Sequence, residues 1–416
     1  MKKRILSFAL ALISVLFCFS GCSKTNKTEP SAPSDIESAT VTDQESLPVP
    51  VIPEDRFLSA GYGGYFFNNV FYYYDFTKST LCYQNLNNVQ KQPLPVYNNF
   101  LAEASENPFA NGSGRILLVD EQATAKNNGL PVLIVVSEKI FTETIDNKPV
   151  RKEINRLVSY NTGTGKMTVI TDELGESIYS FYLYGDTIYF IQFEGEEVGY
   201  VHYTVNKNGG TPKKMDFPEA GRSSLLGVVD GKLYSFSWDY GRLYRSDLNY
   251  ENRELLLEEI PSAKIPPCII NGYLYYTGQT EVDEVFEKEF AVVDVFRKPL
   301  TELSGEGELI AEKVYVASWG VNGEQIFYYS TAYAVFERND VNYLKKLLVF
   351  DTRSGQTNTV YDLSENPLQT KSLHTMSDDW LVCKVTDYTE SGELVKQYKT
   401  LTNLKTGEEI DFPFKF

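Results

Sequence analysis

Histidine occurs at only two positions of the 416-residue chain, His202 and His374. A Ser–His–Asp arrangement or a multi-histidine zinc site is hard to build from so few imidazoles. The chain also lacks a phosphate-binding glycine loop, a dinucleotide-binding glycine pattern and the G-x-S-x-G and H-E-x-x-H motifs. The sequence therefore predicts no catalytic residue, no cofactor and no metal. The sequence does not decide whether two carboxylates are paired for sugar cleavage, because spatial pairing is invisible in sequence.

Two further groups of chemistry-bearing residues have structural explanations. The acidic segment from Glu281 to Glu289 does not match a calcium loop, which has spaced oxygen ligands and a glycine turn, so we expect a solvated hairpin face. Cys82, Cys268 and Cys383 each stand alone in an apolar or aromatic segment without metal-type spacing. We interpret these cysteines as small buried hydrophobic residues. His202 lies within the apolar segment from Tyr200 to Val205, and we expect a structural role for it.

Aromatic side chains at predicted hairpin tips are the candidate ligand-binding residues. Flat rings stack on sugar faces and anchor protein partners. The candidates are Phe141, Trp238, Tyr240, Phe286, Tyr333, Phe336 and Tyr388.

The elements that must position these residues form a repeat. In its first part, a turn of Asn, Asp or Gly precedes a short aromatic strand, as in Asn271-Gly272 before Leu274-Tyr275-Tyr276. Such turns favour hairpins whose central residues have positive φ. In its second part, an apolar strand ends in Asp or Asn with Gly four residues later, as in Asp351 with Gly355. These side chains cap turns by bonding their own backbone.

About seven copies follow one another from Arg56 onward, and each has room for four strands. Four-stranded units at such a period are propeller blades. We therefore predict an all-β fold, a β-propeller of seven four-stranded blades, with six or eight as alternatives. Extra length falls in the connections Ser137–Asn155, Gln279–Glu289, Thr331–Tyr343 and Thr386–Gln397 and in the crossing Pro95–Gly114. In a propeller all five lie on one face, where binding usually evolves.

This pattern resembles that of the WD40-like or TolB-like propeller lipoproteins of Gram-positive bacteria. The resemblance covers Arg56 to Phe416. It implies the fold and leaves the function open, because one scaffold hosts many functions.

The N-terminus has the layout of a secretory signal peptide. Lys2, Lys3 and Arg4 precede an apolar run from Ile5 to Phe19. The segment Phe19-Ser20-Gly21-Cys22 then resembles the lipobox of bacterial lipoproteins, which implies lipidation of Cys22. An uncleaved anchor or an ordinary signal peptide are the alternatives.

The domain boundaries follow from composition. Residues 1–21 are the predicted signal peptide, and residues 22–53 a lipidated cysteine with a flexible tether rich in Ser, Thr and Pro. Residues 54–416 are the predicted propeller, which we expect to be a monomer. The net charge of −17 argues against nucleic acid as a partner.

These observations predict a non-catalytic binding protein, held by its lipid at the outer face of the cytoplasmic membrane. Its expected partner is a cell-wall glycan, a peptide or a protein. The alternatives are a cell-envelope polysaccharide hydrolase or lyase and an accessory subunit of an envelope complex.

Overall fold

A computed structural model of the chain describes residues 57–412 with interruptions, so the predicted signal peptide, Cys22 and the tether lie outside the described residues. The residues not described within that range are 60, 63, 76–79, 87–93, 96–115, 146–147, 175–176, 196–197, 218–221, 261–266, 280, 286–287, 323–324, 335–341, 364, 367 and 377–378.

The strands form a seven-bladed β-propeller, which confirms the predicted fold. Two short strands come first, β1 (Leu58–Ser59) and β2 (Gly61–Tyr62). Blade 1 contains β3 (Gly64–Phe67), β4 (Val70–Asp75), β5 (Thr80–Asn85) and β6 (Leu94–Pro95). Blade 2 contains β7 (Ile116–Val119), helix α1 (Glu121–Lys126), β8 (Val132–Ile145), β9 (Lys148–Asn161) and β10 (Lys166–Leu174).

Blade 3 contains β11 (Ser177–Tyr184), β12 (Thr187–Phe193), β13 (Tyr200–Asn206) and β14 (Lys213–Met215). Blade 4 contains β15 (Ser223–Val229), β16 (Lys232–Ser237), β17 (Arg242–Ser246) and β18 (Glu254–Leu257). Blade 5 contains β19 (Cys268–Ile270), β20 (Tyr273–Thr277), β21 (Glu281–Val285), β22 (Lys288–Pro299) and the first half of β23 (Glu308–Asn322).

Blade 6 contains the second half of β23, β24 (Gln325–Ala334), β25 (Asn342–Asp351) and β26 (Gln356–Asp362). Blade 7 contains β27 (Gln369–Met376), β28 (Trp380–Tyr388), β29 (Leu394–Asn403) and β30 (Glu409–Phe412). Strand β23 pairs with β22 through Glu308–Tyr315 and with β24 through Tyr315–Asn322, so blades 5 and 6 share one continuous strand. We label the four strands of each blade A to D, from the inner to the outer edge.

Helix α1 occupies the A–B connection of blade 2, and Asp120 caps it by accepting a bond from the amide of Ala123. The repeat did not predict this helix, because its six residues are too few for a clear helical period. Among the described residues, no helix is long and apolar enough to cross a membrane.

The predicted turns have the backbone conformations that their residues favour. Asn271 and Gly272 both have positive φ, +51° and +76°. In the C–D turn of blade 6, the amides of Arg353 and Ser354 donate to the Asp351 side chain at 3.1 and 2.8 Å, and Gly355 follows at φ +67°. Since the same solution recurs at Asn161 and Asn403, the turn signature is a backbone requirement shared by several blades.

Apolar packing between neighbouring blades forms the core. Strand β4 (VFYYYD) is buried along its whole length, because both faces of its sheet are covered. Phe71 and Tyr73 face Val382 and Leu401 of blade 7, whereas Val70 and Tyr72 face blade 2. The ring therefore closes between blades 1 and 7 by side-chain packing, each blade keeping all of its own strands.

The N-terminal segment is paired inside the ring. Strand β1 pairs antiparallel with the A strand of blade 3, and β2 with the A strand of blade 2. Only residue 60 separates β1 from β2, so the two A-strand edges lie close together, which holds only where the blades converge on the axis. Leu58 is 6% exposed in the apolar cluster between blades 2 and 3, and the Phe57 ring stacks on Tyr182 at 5.2 Å. This segment thus holds blades 2 and 3 together.

We expect the substitution Leu58→Ala to lower the free energy of unfolding by about 2–5 kcal/mol, because it leaves a cavity at the junction of two blades. Chemical denaturation of the full chain measures the change. Ser59→Ala is the matched control, since Ser59 is exposed and should change stability by less than about 0.5 kcal/mol. Equal effects of the two substitutions would contradict the stabilising role of Leu58.

Candidate functional site

The face that carries the B–C and D–A connections, here called the B–C face, is the candidate functional site. The extra chain length predicted there is regular strand rather than irregular loop in the described residues. In blade 2, β8 and β9 stay paired from Val132–Asn161 to Ile145–Lys148. The hairpin therefore projects about 27 Å beyond the Ser137–Arg156 pair, at roughly 3.4 Å per residue.

Similar hairpins project from three other blades. In blade 5, β21 pairs with β22 through Val285–Lys288, so the acidic segment is a hairpin, as predicted. In blades 6 and 7 the B and C strands stay paired to Ala334–Asn342 and to Tyr388–Leu394.

The candidate aromatic residues that the structure describes belong to four blades: 2, 4, 6 and 7. Phe141 and Tyr333 lie on paired hairpin strands, opposite Lys152 and Tyr343. Tyr388 ends β28 and is half-buried. Phe286 and Phe336 lie outside the described residues.

The two candidates of blade 4 differ in their surroundings. The indole N–H of Trp238 donates to the Ser224 hydroxyl at 2.8 Å, and its ring meets Phe236 edge-on at 5.9 Å. Tyr240, two residues on, is 51% exposed, with the Arg242 guanidinium 5.4 Å from its ring centre. These contacts fix the Trp238 side chain, whereas the Tyr240 side chain is exposed to solvent.

A second exposed aromatic group was not found by the sequence analysis. Tyr179 is 57% exposed and meets Tyr200 edge-on at 4.9 Å, and the Tyr200 ring lies 5.3 Å from Phe193. All three lie where the strands of blade 3 reach the B–C face, since Phe193 pairs directly with Tyr200. The sequence predicts binding residues at hairpin tips, whereas Tyr179 belongs to the inner strand β11.

Exposed apolar side chains concentrate on this face. Among the described residues, ten large hydrophobic side chains are exposed. Seven lie on the B–C face: Ile145, Val150, Tyr179, Val198, Tyr240, Leu394 and Val395. The other three, Leu248, Leu255 and Leu309, lie in a C–D turn or on outer strands. Exposed apolar groups gathered on one side of a protein mark an interaction surface.

Three described carboxylates of this face each have a separate hydrogen-bond partner. Asp239 accepts the Arg222 amide at 3.0 Å, and Asp387 accepts the Gln369 side chain at 2.8 Å. Glu194 accepts the hydroxyl of Tyr203. These three carboxylates belong to blades 3, 4 and 7. Among the described residues, no group of three His, Cys, Asp or Glu side chains is placed to hold a metal.

His202 lies beneath this face, in a buried network between blades 3 and 4. Its Nδ1 lies 3.0 Å from the hydroxyl of Tyr250, its Nε2 bonds Ser223, and its ring stacks on Phe217 at 4.5 Å. Burial lowers the pKa of His202 to about 3 and raises that of Tyr250, so the ring is neutral and the phenol keeps its proton.

This network differs from a nucleophilic site. His202, Ser223 and Tyr250 are 2%, 7% and 4% exposed, so a substrate has no access to them. The structural role predicted for His202 agrees with these contacts.

No protein-family model matches the chain, and no curated protein matches it in sequence. A solved post-proline cleaving enzyme from Rickettsia typhi is similar, with a TM-score of 0.50, 11% identity, and coverage of 86% of this chain and 53% of that one. The propeller domain of the Trilobed protease from Pyrococcus furiosus has a TM-score of 0.43, 15% identity, and coverage of 68% and 82%. Likeness at such identities concerns the fold alone.

We expect the His202 network to lose stability in acid. The folded-state pKa lies below the ordinary value, so the contribution is complete above about pH 6.5 and is lost as the pH falls toward about 3. The loss is about 1.4 kcal/mol per pH unit within that window. The stability difference between the wild type and His202→Gln, measured by denaturation from pH 7.5 to 4, should therefore shrink below pH 6.5. A difference that stays constant would contradict this assignment.

Proposed function

We propose that this chain is a lipid-anchored, extracytoplasmic binding protein that recognises a protein partner with its B–C face. The observation that carries the proposal is the concentration of seven exposed hydrophobic side chains on that face. Tyrosine and arginine dominate binding energy at protein interfaces, and Tyr179, Tyr240 and Arg242 supply both. Exposed aliphatic residues such as Leu394 and Val395 suit a protein surface better than a sugar, which offers many hydroxyl groups.

The course of the N-terminal segment supports an orientation in which the B–C face points away from the membrane. Leu58 pairs with Leu183 near the end of β11, and Tyr62 pairs with Ile116 at the start of β7. A strands run from the B–C face toward the opposite face, and β1 and β2 run antiparallel to them. The chain therefore enters β1 at the face of the A–B and C–D turns. A tether that precedes β1 would hold this turn face toward the membrane and leave the B–C face pointing outward.

The anchor rests on the signal-peptide layout and on Cys22. Two acyl chains give stable membrane attachment, whereas a single chain gives only marginal binding.

We expect Cys22→Ala to move the protein out of the membrane fraction, because the thiol that would carry the lipid is absent. Fractionation of the producing cells, followed by immunodetection, measures the change, with Cys82→Ala as the control that leaves the anchor intact. Undiminished membrane association of Cys22→Ala would show that the lipobox assignment is wrong.

Site-specific photo-crosslinking on intact cells tests the binding face. A photoreactive residue in place of Tyr179 or Tyr240 should give a protein adduct, whereas one in place of Leu255 or Leu309 on the outer strands should not. Once the partner is identified, Tyr240→Ala should weaken its binding about 30-fold, the consequence of losing about 2 kcal/mol at an anchoring residue. Adducts from the outer strands alone would refute the proposal.

A further inference from the structure

The N-terminal segment Phe57–Tyr62, here called the strap, connects the predicted tether to the ring. Strand β1 of the strap lies on β11 of blade 3, and β2 lies on β7 of blade 2. Among the described residues, each of these two strands is held by two residue pairs. The next strand along the chain, β3, is held on β4 by four pairs, from Gly64–Tyr73 to Phe67–Val70. Backbone pairing therefore becomes stronger where the strap joins blade 1.

Of the strap side chains that the structure describes, one is buried. Leu58 lies in the apolar cluster between blades 2 and 3, which has twelve other buried members. The Phe57 ring stacks on Tyr182 but is only half-buried, and Ser59 is exposed. The junction between blades 2 and 3 thus keeps most of its apolar packing when the strap leaves it.

Strand β3 is packed more firmly than the strap, because neighbours cover it on both sides. Phe67 is 8% exposed in the cluster between blades 1 and 2, and Phe66 packs against the cluster between blades 7 and 1. A release that begins at Phe57 therefore meets its first strong resistance at β3.

Tension on the tether acts on the strap before it acts on any blade. The chain enters β1 at the turn face, whereas the proposed partner binds the B–C face. A force between the membrane and the partner therefore pulls on Phe57 first, and the strap transmits it to blades 2 and 3. This step rests on the proposed function, because it needs an anchored tether and a bound partner.

We propose that the strap is a tension-sensitive release, which leaves blades 2 and 3 before any blade unfolds. Elements with short pairing and few buried apolar contacts are the first to open in folded proteins. Release as far as Gly64, the first residue of β3, frees residues 57–63. These residues supply at most about 25 Å of extended chain, at about 3.6 Å per residue. The added length relieves the tension, and the closed ring keeps the B–C face folded.

Force spectroscopy on single molecules of the full chain tests the order of these events. One handle is attached to the N-terminus and the other to an azide-bearing residue in place of Tyr240, which is exposed on the B–C face. A rising force should give a small lengthening of at most about 25 Å before the much larger lengthening of the ring. The small step should reverse when the force is lowered. Unfolding of the ring without a preceding small step would overturn the proposal.

The substitution Leu58→Ala should lower the force of the small step, because it removes the buried side chain of the strap. The force of the large step should stay the same, since residue 58 has left the junction by then. Ser59→Ala is the matched control and should change neither force, because Ser59 is exposed. A small step with the same force in Leu58→Ala and the wild type comes from another part of the chain and contradicts the proposal.

A disulfide between β1 and β11 gives a second test. Ser59 and Tyr182 are directly opposed in the antiparallel pair. Such residues have Cα atoms about 4.5–5.5 Å apart, within the range that a disulfide spans. The double variant Ser59→Cys/Tyr182→Cys should lack the small step when oxidised and regain it in a reducing agent. A small step that persists after oxidation would show that the strap is not the released element.

These measurements use neither a membrane nor a partner. Their failure would refute the strap and leave the proposed anchor and binding face standing, whereas those are tested by fractionation and crosslinking.

Discussion

Apolar packing between adjacent blades is the constraint on which this structure depends. Each blade is a thin sheet with two apolar faces, and it buries them only between two neighbours. Apolar clusters of described residues lie at all seven junctions, from the one between blades 1 and 2 to the one between blades 7 and 1. The ring must therefore close for every face to be covered, and the packing of Phe71 and Tyr73 on Val382 and Leu401 closes it.

Two buried polar contacts join neighbouring blades. Lys207 of blade 3 lies 3.0 Å from Asp120, the helix cap of blade 2, and both side chains are less than 10% exposed. It also reaches Asp186 at 3.3 Å. Breaking a buried pair leaves an uncompensated charge, so this contact fixes how blades 2 and 3 meet. The His202 network does the same for blades 3 and 4 without any charge.

This rigid ring separates stability from recognition. The turn face holds the repeated caps and hairpins, whose residues are set by backbone geometry. The B–C face holds the projecting hairpins and the exposed tyrosines. Residues there are free of the packing constraint, and the proposed binding residues lie among them.

The repeat alone was sufficient for the fold class, the blade count and the turn positions, because these depend on local rules. Asn271-Gly272 demands positive φ in any context, and Asp351 caps its own turn. The tyrosine group of blade 3 was not predicted. Tyr200 lies 21 residues from Tyr179, and their contact depends on strand register.

The sequence by itself thus determined the elements and their order, since turn chemistry and apolar strands act over a few residues. Only the tertiary structure decided which side chains meet across strands and blades, because register and ring closure are set by packing over the whole chain. The insertion of β1 and β2 along the inner edges is the clearest case. Leu58-Ser59 and Gly61-Tyr62 carry no strand signature of their own, and they become strands because the converging blades present free edges to them.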